Sequence, residues 1–192
     1  MIIFSKIKNR RGMTLIEVII GVGIAMLIFA AITAIYQISQ NAYSRADRRA
    51  EITQNGRVIL DRLVRELRQT PAIVTTLPET AADPANLPHE IMFQDGHTTT
   101  EVRYIKYYLD GTNIKKQVII YYFSEDPSFH VYWHDTDEDG NPPLFTILED
   151  KVVGEFVDDI EFWGEKLINI NLYLLKNNES EIIYTAVYGR NF

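Results

Sequence analysis

The chain has 192 residues, a length typical of one domain with an appendage. Its composition, 46% hydrophobic and 23% charged, is that of a folded protein and excludes a disordered one. The sequence contains no cysteine, which excludes disulfide bonds, thiolate catalysis and cysteine-ligated metals, and its net charge of −7 argues against a surface that wraps nucleic acid.

Charge is segregated along the chain. Residues 1–12 carry a net charge of +4, residues 39–70 carry +3, and residues 71–192 carry −13. A single compact soluble domain rarely sorts its charge in this way. The pattern indicates a basic start, an apolar segment, a mildly basic middle and an acidic body.

The apolar segment, residues 18–38, has no formally charged side chain. As a helix it would span roughly 31 Å, about the hydrocarbon thickness of a bilayer. A buried core helix is the alternative, although core helices are usually shorter. The basic residues before the segment predict an N-terminus in the cytoplasm and a body across the membrane.

An ordinary secretory signal is not favoured, because no Ala-x-Ala-like cleavage site follows the apolar segment. Glu17 instead places a carboxylate just inside the start of the apolar stretch. Charged groups in a membrane helix are costly, and those that occur are usually paired and functional. Glu17 is therefore a candidate functional residue.

Residues 10–17 (RRGMTLIE) resemble the class III signal of type IV pilins and type II secretion pseudopilins. The resemblance implies that a membrane prepilin peptidase cuts after Gly12 on the cytoplasmic side and methylates the new amine of Met13. Two features depart from the family pattern. Met13 stands where Phe is usual, and the first helical turns beyond Glu17 contain Gly21 and Gly23 but no proline.

The physical interpretation of Glu17 agrees with this resemblance. A lone carboxylate is unfavourable in a bundle of apolar helices, but one that faces an N-terminal ammonium is compensated. Glu17 lies four residues after Met13, on the same helix face. We expect Glu17 to pair with an N-terminal amine, its own or that of the adjacent subunit, and to set the axial register. The alternative is an acid tolerated near the cytoplasmic interface.

A helical pattern continues over residues 39–69. Apolar residues recur there at helical spacing, and arginines and acids occupy the other faces. The apolar face consists of Ile52, Ile59, Leu63 and Leu67, together with Gly56 and Leu60. Glu66, one turn from Arg62, is expected on a solvated face. Residues 69–71 (QTP) are predicted to end the helix. Because acids interrupt the arginines and no aromatic residues interleave with them, a solvated face is favoured over a nucleic-acid site.

Beyond Pro71 the pattern changes to period two, with β-branched and aromatic residues. The predicted strands are 90–94, 101–109, 115–123, 129–134, 144–148, 158–163, 167–175 and 181–188. Residues 110–113, 164–165 and 177–178 are predicted turns, and residues 77–90 a proline-rich exposed loop. One long helix followed by a run of strands predicts an α+β fold with an antiparallel head.

Three further segments resemble the C-terminal half of the J-type minor pseudopilins and W-type minor pilins: residues 150–163, 167–175 and 182–192. Residues 62–68 (RLVRELR) are similar to an Arg-rich run near the helix end of that family. This resemblance implies a pilin-like head and a minor subunit. The expected organisation is a cleaved leader over 1–12, a transmembrane and filament-core helix over 13–40, an amphipathic helix over 41–70 and a β-rich head over 71–192.

Residues 135–140 (DTDEDG) form the first half of an EF-hand-type calcium loop. Side-chain oxygens of Asp135, Asp137 and Asp139 and the carbonyl of Asn141 are the candidate ligands. The twelfth position is Thr146, which cannot supply the bidentate carboxylate. An acidic, solvated hairpin loop is therefore the alternative to a calcium site.

The remaining candidate chemistry is sparse. His130 and His134 are expected on one face of a strand, about 13 Å apart by strand rise and too far apart to chelate one metal. The sequence shows no nucleophile elbow, no Gly-rich phosphate loop and no HExxH motif. Catalysis is not expected.

The expected function is that of a minor pilin or pseudopilin that assembles into or primes a type IV pilus or a type II secretion pseudopilus. The expected partners are the prepilin peptidase, other major and minor subunits bound through the N-terminal helix, and the membrane. Neither a small-molecule substrate nor nucleic acid is expected. The expected location is the bacterial inner membrane, as a single-pass protein with its head outside the cytoplasm, and then the filament. The alternatives are a minor pilin of a DNA-uptake filament, a major shaft subunit and a membrane-anchored enzyme.

Overall fold

The computed structural model describes residues 12–97 and 101–189. They contain one α-helix, α1 (Leu15–Leu67), a 3₁₀ turn (Pro84–Asn86) and eight strands. The strands are β1 (Glu90–Gln94), β2 (Tyr104–Asp110), β3 (Asn113–Phe123), β4 (Asp126–Val131), β5 (Leu144–Gly154), β6 (Val157–Trp163), β7 (Leu167–Lys176) and β8 (Glu179–Tyr188). The α+β class predicted from the sequence is confirmed. Of the predicted leader, residues 1–12, only Gly12 is among the described residues, and residues 98–100 and 190–192 also lie outside them.

The chain divides into two compact units, Met1–Ala46 and Asp47–Phe192. In the first unit the described residues from Gly12 to Ala46 are all exposed. Helix α1 begins at Leu15, two residues after the predicted start at Met13, and it runs without a break for 53 residues.

The part of α1 in the second unit buries the predicted apolar stripe. Ile52, Ile59, Leu63 and Leu67 are fully buried, as their i, i+7, i+11, i+15 spacing requires of one helix face. They pack in one core cluster with residues of the strands, including Phe93 of β1, Tyr107 of β2, Ile114 of β3, Phe162 of β6 and Leu172 of β7.

The strands form two antiparallel sheets. The first has the order β1-β2-β3-β4, with β5 paired to the other side of β3, and the second has the order β6-β7-β8. The segment after the helix covers two sheet edges: Val74 N donates to Met92 O on β1, and Gly164 N at the end of β6 donates to Pro78 O. Residues 77–90 are therefore not entirely an exposed loop, and Leu87 within them is buried.

The predicted turn between β7 and β8 is confirmed. Asn177 and Asn178 have φ of 48° and 66°, which places both in the left-handed region required by a two-residue type I′ hairpin. Asn tolerates this region better than other non-glycine residues. The turn fixes the register of β7 against β8, in which Lys176 pairs with Glu179.

Three strand predictions are wrong by three residues or more at an end. β2 begins at Tyr104 and not at 101, and β4 begins at Asp126 and not at 129. β4 ends at Val131 and not at 134, because Asp135 turns the chain: its Oδ2 accepts a hydrogen bond from Tyr132 N at 2.8 Å, and its own N–H donates to Tyr132 O. His134 therefore lies in a turn and does not share a strand with His130. β5 continues past 148 to Gly154, because its charged residues face solvent while its backbone pairs with β3.

Glu66 is also placed differently from the prediction. It is not on a solvated face but largely buried, and its carboxylate accepts hydrogen bonds from Lys116 Nζ at 2.6 Å and Tyr107 Oη at 2.8 Å. A buried carboxylate requires such compensation. These contacts tie the last turns of α1 to β2 and β3.

The predicted helix stop is confirmed within two residues. The helix ends at Leu67, and the hydroxyl of buried Thr70 donates to Gln94 O at 2.6 Å. A Cβ added at Gly96 would lie 1.8 Å from Gln69 O, so only glycine allows the chain after β1 to pass this close to the helix end.

Candidate processing and assembly site

The candidate site begins with three residues in front of the helix. Gly12, Met13 and Thr14 are non-helical and exposed. A Cβ added at Gly12 would meet no atom within 4 Å. The two residues that flank the predicted cleavage bond, Gly12 and Met13, are thus both exposed. The basic residues that precede Gly12 lie outside the described part of the chain.

Thr14 and Glu17 form a capping box. Glu17 Oε2 accepts hydrogen bonds from Thr14 N at 2.8 Å and from Thr14 Oγ1 at 3.0 Å, and Glu17 N lies 3.4 Å from Thr14 Oγ1. This reciprocal arrangement satisfies backbone donors that the first helical turn would otherwise leave unpaired. Glu17 also favours the helix start because it places negative charge at the positive end of the helix dipole.

The capping box is a feature that the sequence interpretation missed. The Thr-x-x-Glu spacing directly before an apolar run is by itself a signal for it. In the precursor the Glu17 carboxylate is engaged with Thr14, one residue after the amine that cleavage would create at Met13. The pairing of Glu17 with an N-terminal amine concerns the processed chain and stays a prediction.

The apolar segment after Glu17 satisfies its own backbone. Thr33, one of its few polar residues, donates from Oγ1 to Phe29 O at 3.1 Å and Ala30 O at 2.9 Å. By length and composition α1 can cross a membrane: an 18-residue window has a mean hydropathy of 2.8, and none of that window is buried. A helix in lipid must satisfy its backbone polar groups internally, and the unbroken helix does this for the apolar segment.

The comparison with known families agrees with this geometry. Residues 7–33 match the family described as the prokaryotic N-terminal methylation motif. The chain carries a prepilin-type methylation motif. This motif is consistent with the type IV pilin and pseudopilin superfamily, and it implies processing by a prepilin peptidase and assembly with other pilin subunits. No curated protein and no solved structure matches the chain.

The methylation motif spans the three predicted processing and assembly residues, Gly12, Met13 and Glu17. The structure brings Met13 and Glu17 to the same end of the helix and leaves both exposed. The match ends at residue 33 and does not include the head, residues 71–192.

The acidic loop is organised around Asp137. Its carboxylate accepts hydrogen bonds from Asn141 N at 2.7 Å, Asn141 Nδ2 at 2.9 Å and Asp139 N at 3.0 Å. Hydrogen bonds from the Asn141 side chain, and then from the Asn141 backbone, hold the pKa of Asp137 below its usual value. Gly140, at φ 81°, makes the turn that brings Asn141 back to Asp137.

This arrangement differs from a preformed calcium site. Among residues 12–97 and 101–189, no group of three or more His, Asp or Glu side chains is placed to hold a metal ion. The Asp137 carboxylate accepts hydrogen bonds from donors within the loop, such as Asn141 N. The Asp135 carboxylate accepts a hydrogen bond from Tyr132 N. Calcium at Asp135, Asp137, Asp139 and Asn141 stays a prediction. Calorimetry at millimolar calcium tests it, and the absence of binding heat would contradict it.

Proposed function

We propose that this chain is a prepilin whose leader, residues 1–12, is removed by a prepilin peptidase, and that Met13 becomes the methylated N-terminus of the mature subunit. The observation that carries the proposal is the methylation motif at residues 7–33. The non-helical, exposed Gly12 and Met13 support it, because a protease needs an extended, accessible strand of substrate at the bond it cuts.

The apolar helix supports assembly. Large apolar residues from Met13 to Ile38 are exposed, many of them by more than half of their side-chain area, for example Leu27 at 73% and Phe29 at 69%. An apolar surface of this extent is stable only in lipid or against other apolar helices. We propose that the segment first anchors the subunit in the inner membrane, with the head outside the cytoplasm, and later packs in a filament core.

Glu17 is the residue proposed to set the axial register of the subunits in that filament core. Its carboxylate accepts two hydrogen bonds from Thr14 in the precursor, and a carboxylate can accept more. After cleavage the Met13 ammonium, of the same subunit or a neighbour, is a charged donor for the remaining sites. A charge-assisted bond in an apolar bundle is strongly oriented, so it would favour one axial position of each subunit.

Within this class we propose a minor subunit of a type IV pilus or a type II secretion pseudopilus. The resemblance of the head to J-type and W-type minor subunits supports this choice. The net charge of −13 on residues 71–192 disfavours the DNA-uptake alternative, because nucleic acid repels an acidic head. A major shaft subunit is the other alternative, and the abundance of the chain in purified filaments distinguishes the two.

A pair of glycine variants tests the proposal. Gly12→Val and Gly23→Val both place a side chain where no atom lies within 4 Å, so neither is expected to disturb the fold. We expect Gly12→Val to remain unprocessed and absent from sheared filaments, and Gly23→Val to be processed normally. Normal processing of Gly12→Val would contradict the proposed cleavage site.

A further inference from the structure

One side of α1 in the head presents a basic surface. It surrounds two adjoining depressions of about 320 and 450 Å³, which share Asp61 and Arg65. The residues that line them carry four positive charges and one negative charge, that of Asp61, so the net charge is +3. Two further side chains of this surface are more than half exposed. This arginine face consists of Arg57, Arg62, Arg65 and Arg68, together with Val58 and Tyr188.

The four arginines of this face lack partners within the described part of the chain. None of their side chains forms a hydrogen bond or an ion pair with another described residue. Arg48 and Arg49, earlier in the same helix, are by contrast paired with Glu179 and Glu181 of β8. The chain therefore neutralises one group of helix arginines itself and leaves the other group available to a negatively charged partner.

A complementary surface lies elsewhere on the head, beside β4. A cleft of about 470 Å³ is lined there by five carboxylates and by apolar side chains. None of these carboxylates is paired with a basic side chain among the described residues, and those of Glu138 and Asp139 accept no hydrogen bond from them. This acidic cleft consists of Glu125, Asp126, Asp137, Glu138 and Asp139, with Phe123 and Phe129 as apolar walls.

A second copy of the chain accounts for both unpaired surfaces at once. The arginine face carries a net charge of +3 and the acidic cleft carries −5, so the two surfaces attract each other and orient the two copies. Each surface also has a large apolar side chain that is more than half exposed, Val58 on one and Phe129 on the other. Nucleic acid or an anionic membrane would neutralise the arginines but would leave the acidic cleft unpaired.

We propose that the arginine face of one subunit binds the acidic cleft of a second copy of this chain. The carboxylates of Glu138 and Asp139 pair with the arginines around Arg65, and Phe129 packs against Val58. Because the two surfaces differ, each contact leaves one arginine face and one acidic cleft free, so the contact can repeat along an assembly. The inference rests on the proposed assembly of the chain into a filament, in which at least two copies would then be neighbours.

Cross-linking tests the proposal in the full chain, which contains no cysteine. Gln54→Cys places a thiol beside the arginine face, and Thr136→Cys places one at the acidic cleft; both positions are exposed. The two variants carry different epitope tags and are produced together in cells that contain the prepilin peptidase. Membranes and sheared filaments are then treated with a short bis-maleimide. We expect a cross-link between the two tagged chains and at least about tenfold less between copies of either variant alone.

Charge reversal tests how the two copies are held together. We expect Arg65→Glu on the first chain, or Glu138→Arg on the second, to reduce the cross-link at least about tenfold. Both reversals together restore opposite charges across the contact, so the cross-link should return, which also shows that both variant chains fold. Lys166→Glu and Glu79→Arg change the charge equally at exposed positions outside both surfaces and should leave the cross-link unchanged.

Three results would overturn the proposal. A cross-link that neither Arg65→Glu nor Glu138→Arg reduces would show that these charges do not hold the copies together. Binding of duplex DNA or of phosphatidylglycerol vesicles by the purified chain, lost in Arg65→Glu, would assign the arginine face to a polyanion. Processed chains that enter filaments without the cross-link would show that two copies do not meet through these surfaces. The chain mass, measured in the same samples, reports leader processing separately, and an unprocessed chain would contradict the proposed function instead.

Discussion

Nζ of Lys116 lies 2.6 Å from Oε1 of Glu66, and each side chain is only about a tenth exposed. The other oxygen of Glu66 accepts a hydrogen bond from Tyr107. Burial, and secondarily the Glu66 charge, raises the pKa of Tyr107 far above its usual value, so Tyr107 remains a donor at every physiological pH. The three residues join α1, β2 and β3 and fix how the helix sits on the first sheet.

Removing Glu66 should destabilise the head. Glu66→Ala leaves a largely buried ammonium without its partner, and we expect the free energy of unfolding to fall by about 3 kcal/mol. Glu51→Ala is the matched control, because the Glu51 side chain is half exposed and its contact with Lys176 should contribute less than about 1 kcal/mol. Urea titration of the full chain in detergent measures both. Equal losses would contradict a special role for the buried pair.

The close passage at Gly96 should be equally sensitive. Gly96→Ala forces the new Cβ against the backbone oxygen of Gln69, which cannot rotate away as a side chain would. We expect a loss of about 1–3 kcal/mol in unfolding free energy. Gly23→Ala, which meets no atom within 4 Å, should leave head stability unchanged. A neutral Gly96→Ala would show that the helix end and the end of β1 are not held this tightly.

The capping box should control the first helical turn. Thr14→Ala removes the hydroxyl that Glu17 contacts, and we expect the turn to lose about 1 kcal/mol of local stability. Amide exchange at residues 15–18 in micelles should quicken accordingly. Thr33→Val, which removes a hydroxyl bonded only to helix carbonyls, serves as the control and should not affect these amides. Unchanged exchange of the amides of residues 15–18 in Thr14→Ala would contradict the capping role of Thr14.

The acidic loop should depend on pH. Because its hydrogen bonds lower the pKa of Asp137, its contribution to folding is complete above the usual aspartate value of about 3.9 and is lost as the pH falls through the lower folded value. We expect the amides of Asp139 and Asn141 to stay protected at about pH 4 and to lose protection below it, measured against their intrinsic exchange rates at each pH. Asp139→Asn, which keeps its N–H donor to Asp137, should retain this step, and Asp137→Asn should lose it. A step well above pH 4 would contradict the assignment.

Local patterns in the sequence predict much of the fold. Apolar spacing identifies the buried stripe of α1, and period-two runs identify all eight described strands, because one face of each element must be buried. Tertiary contacts explain what the patterns miss. Glu66 has Arg62 one turn away, yet its partner is Lys116, fifty residues further along the chain. No local spacing reveals such a pair.

The candidate site can be predicted from the sequence because its residues lie close together along the chain. Gly12, Met13 and Glu17 belong to a short, contiguous motif whose chemistry is local. The capping role of Glu17 could also be predicted from the local Thr14-x-x-Glu17 spacing. In the sequence analysis, Glu17 is considered only as a partner of an N-terminal amine, and this role is therefore missed. The place of β5 in the sheet could not be predicted, because only the sheet order shows that β5 pairs with β3 and not with β4, the strand before it in the chain.

Processing after Gly12 is tested most directly by intact mass measurement and N-terminal sequencing of the protein, isolated from membranes of cells with and without the prepilin peptidase. We expect a mature chain that begins at N-methylated Met13 when the peptidase is present, and the full precursor when it is absent. An unprocessed N-terminus in cells that contain the peptidase, or a cut beyond Ser39, would contradict the proposed processing.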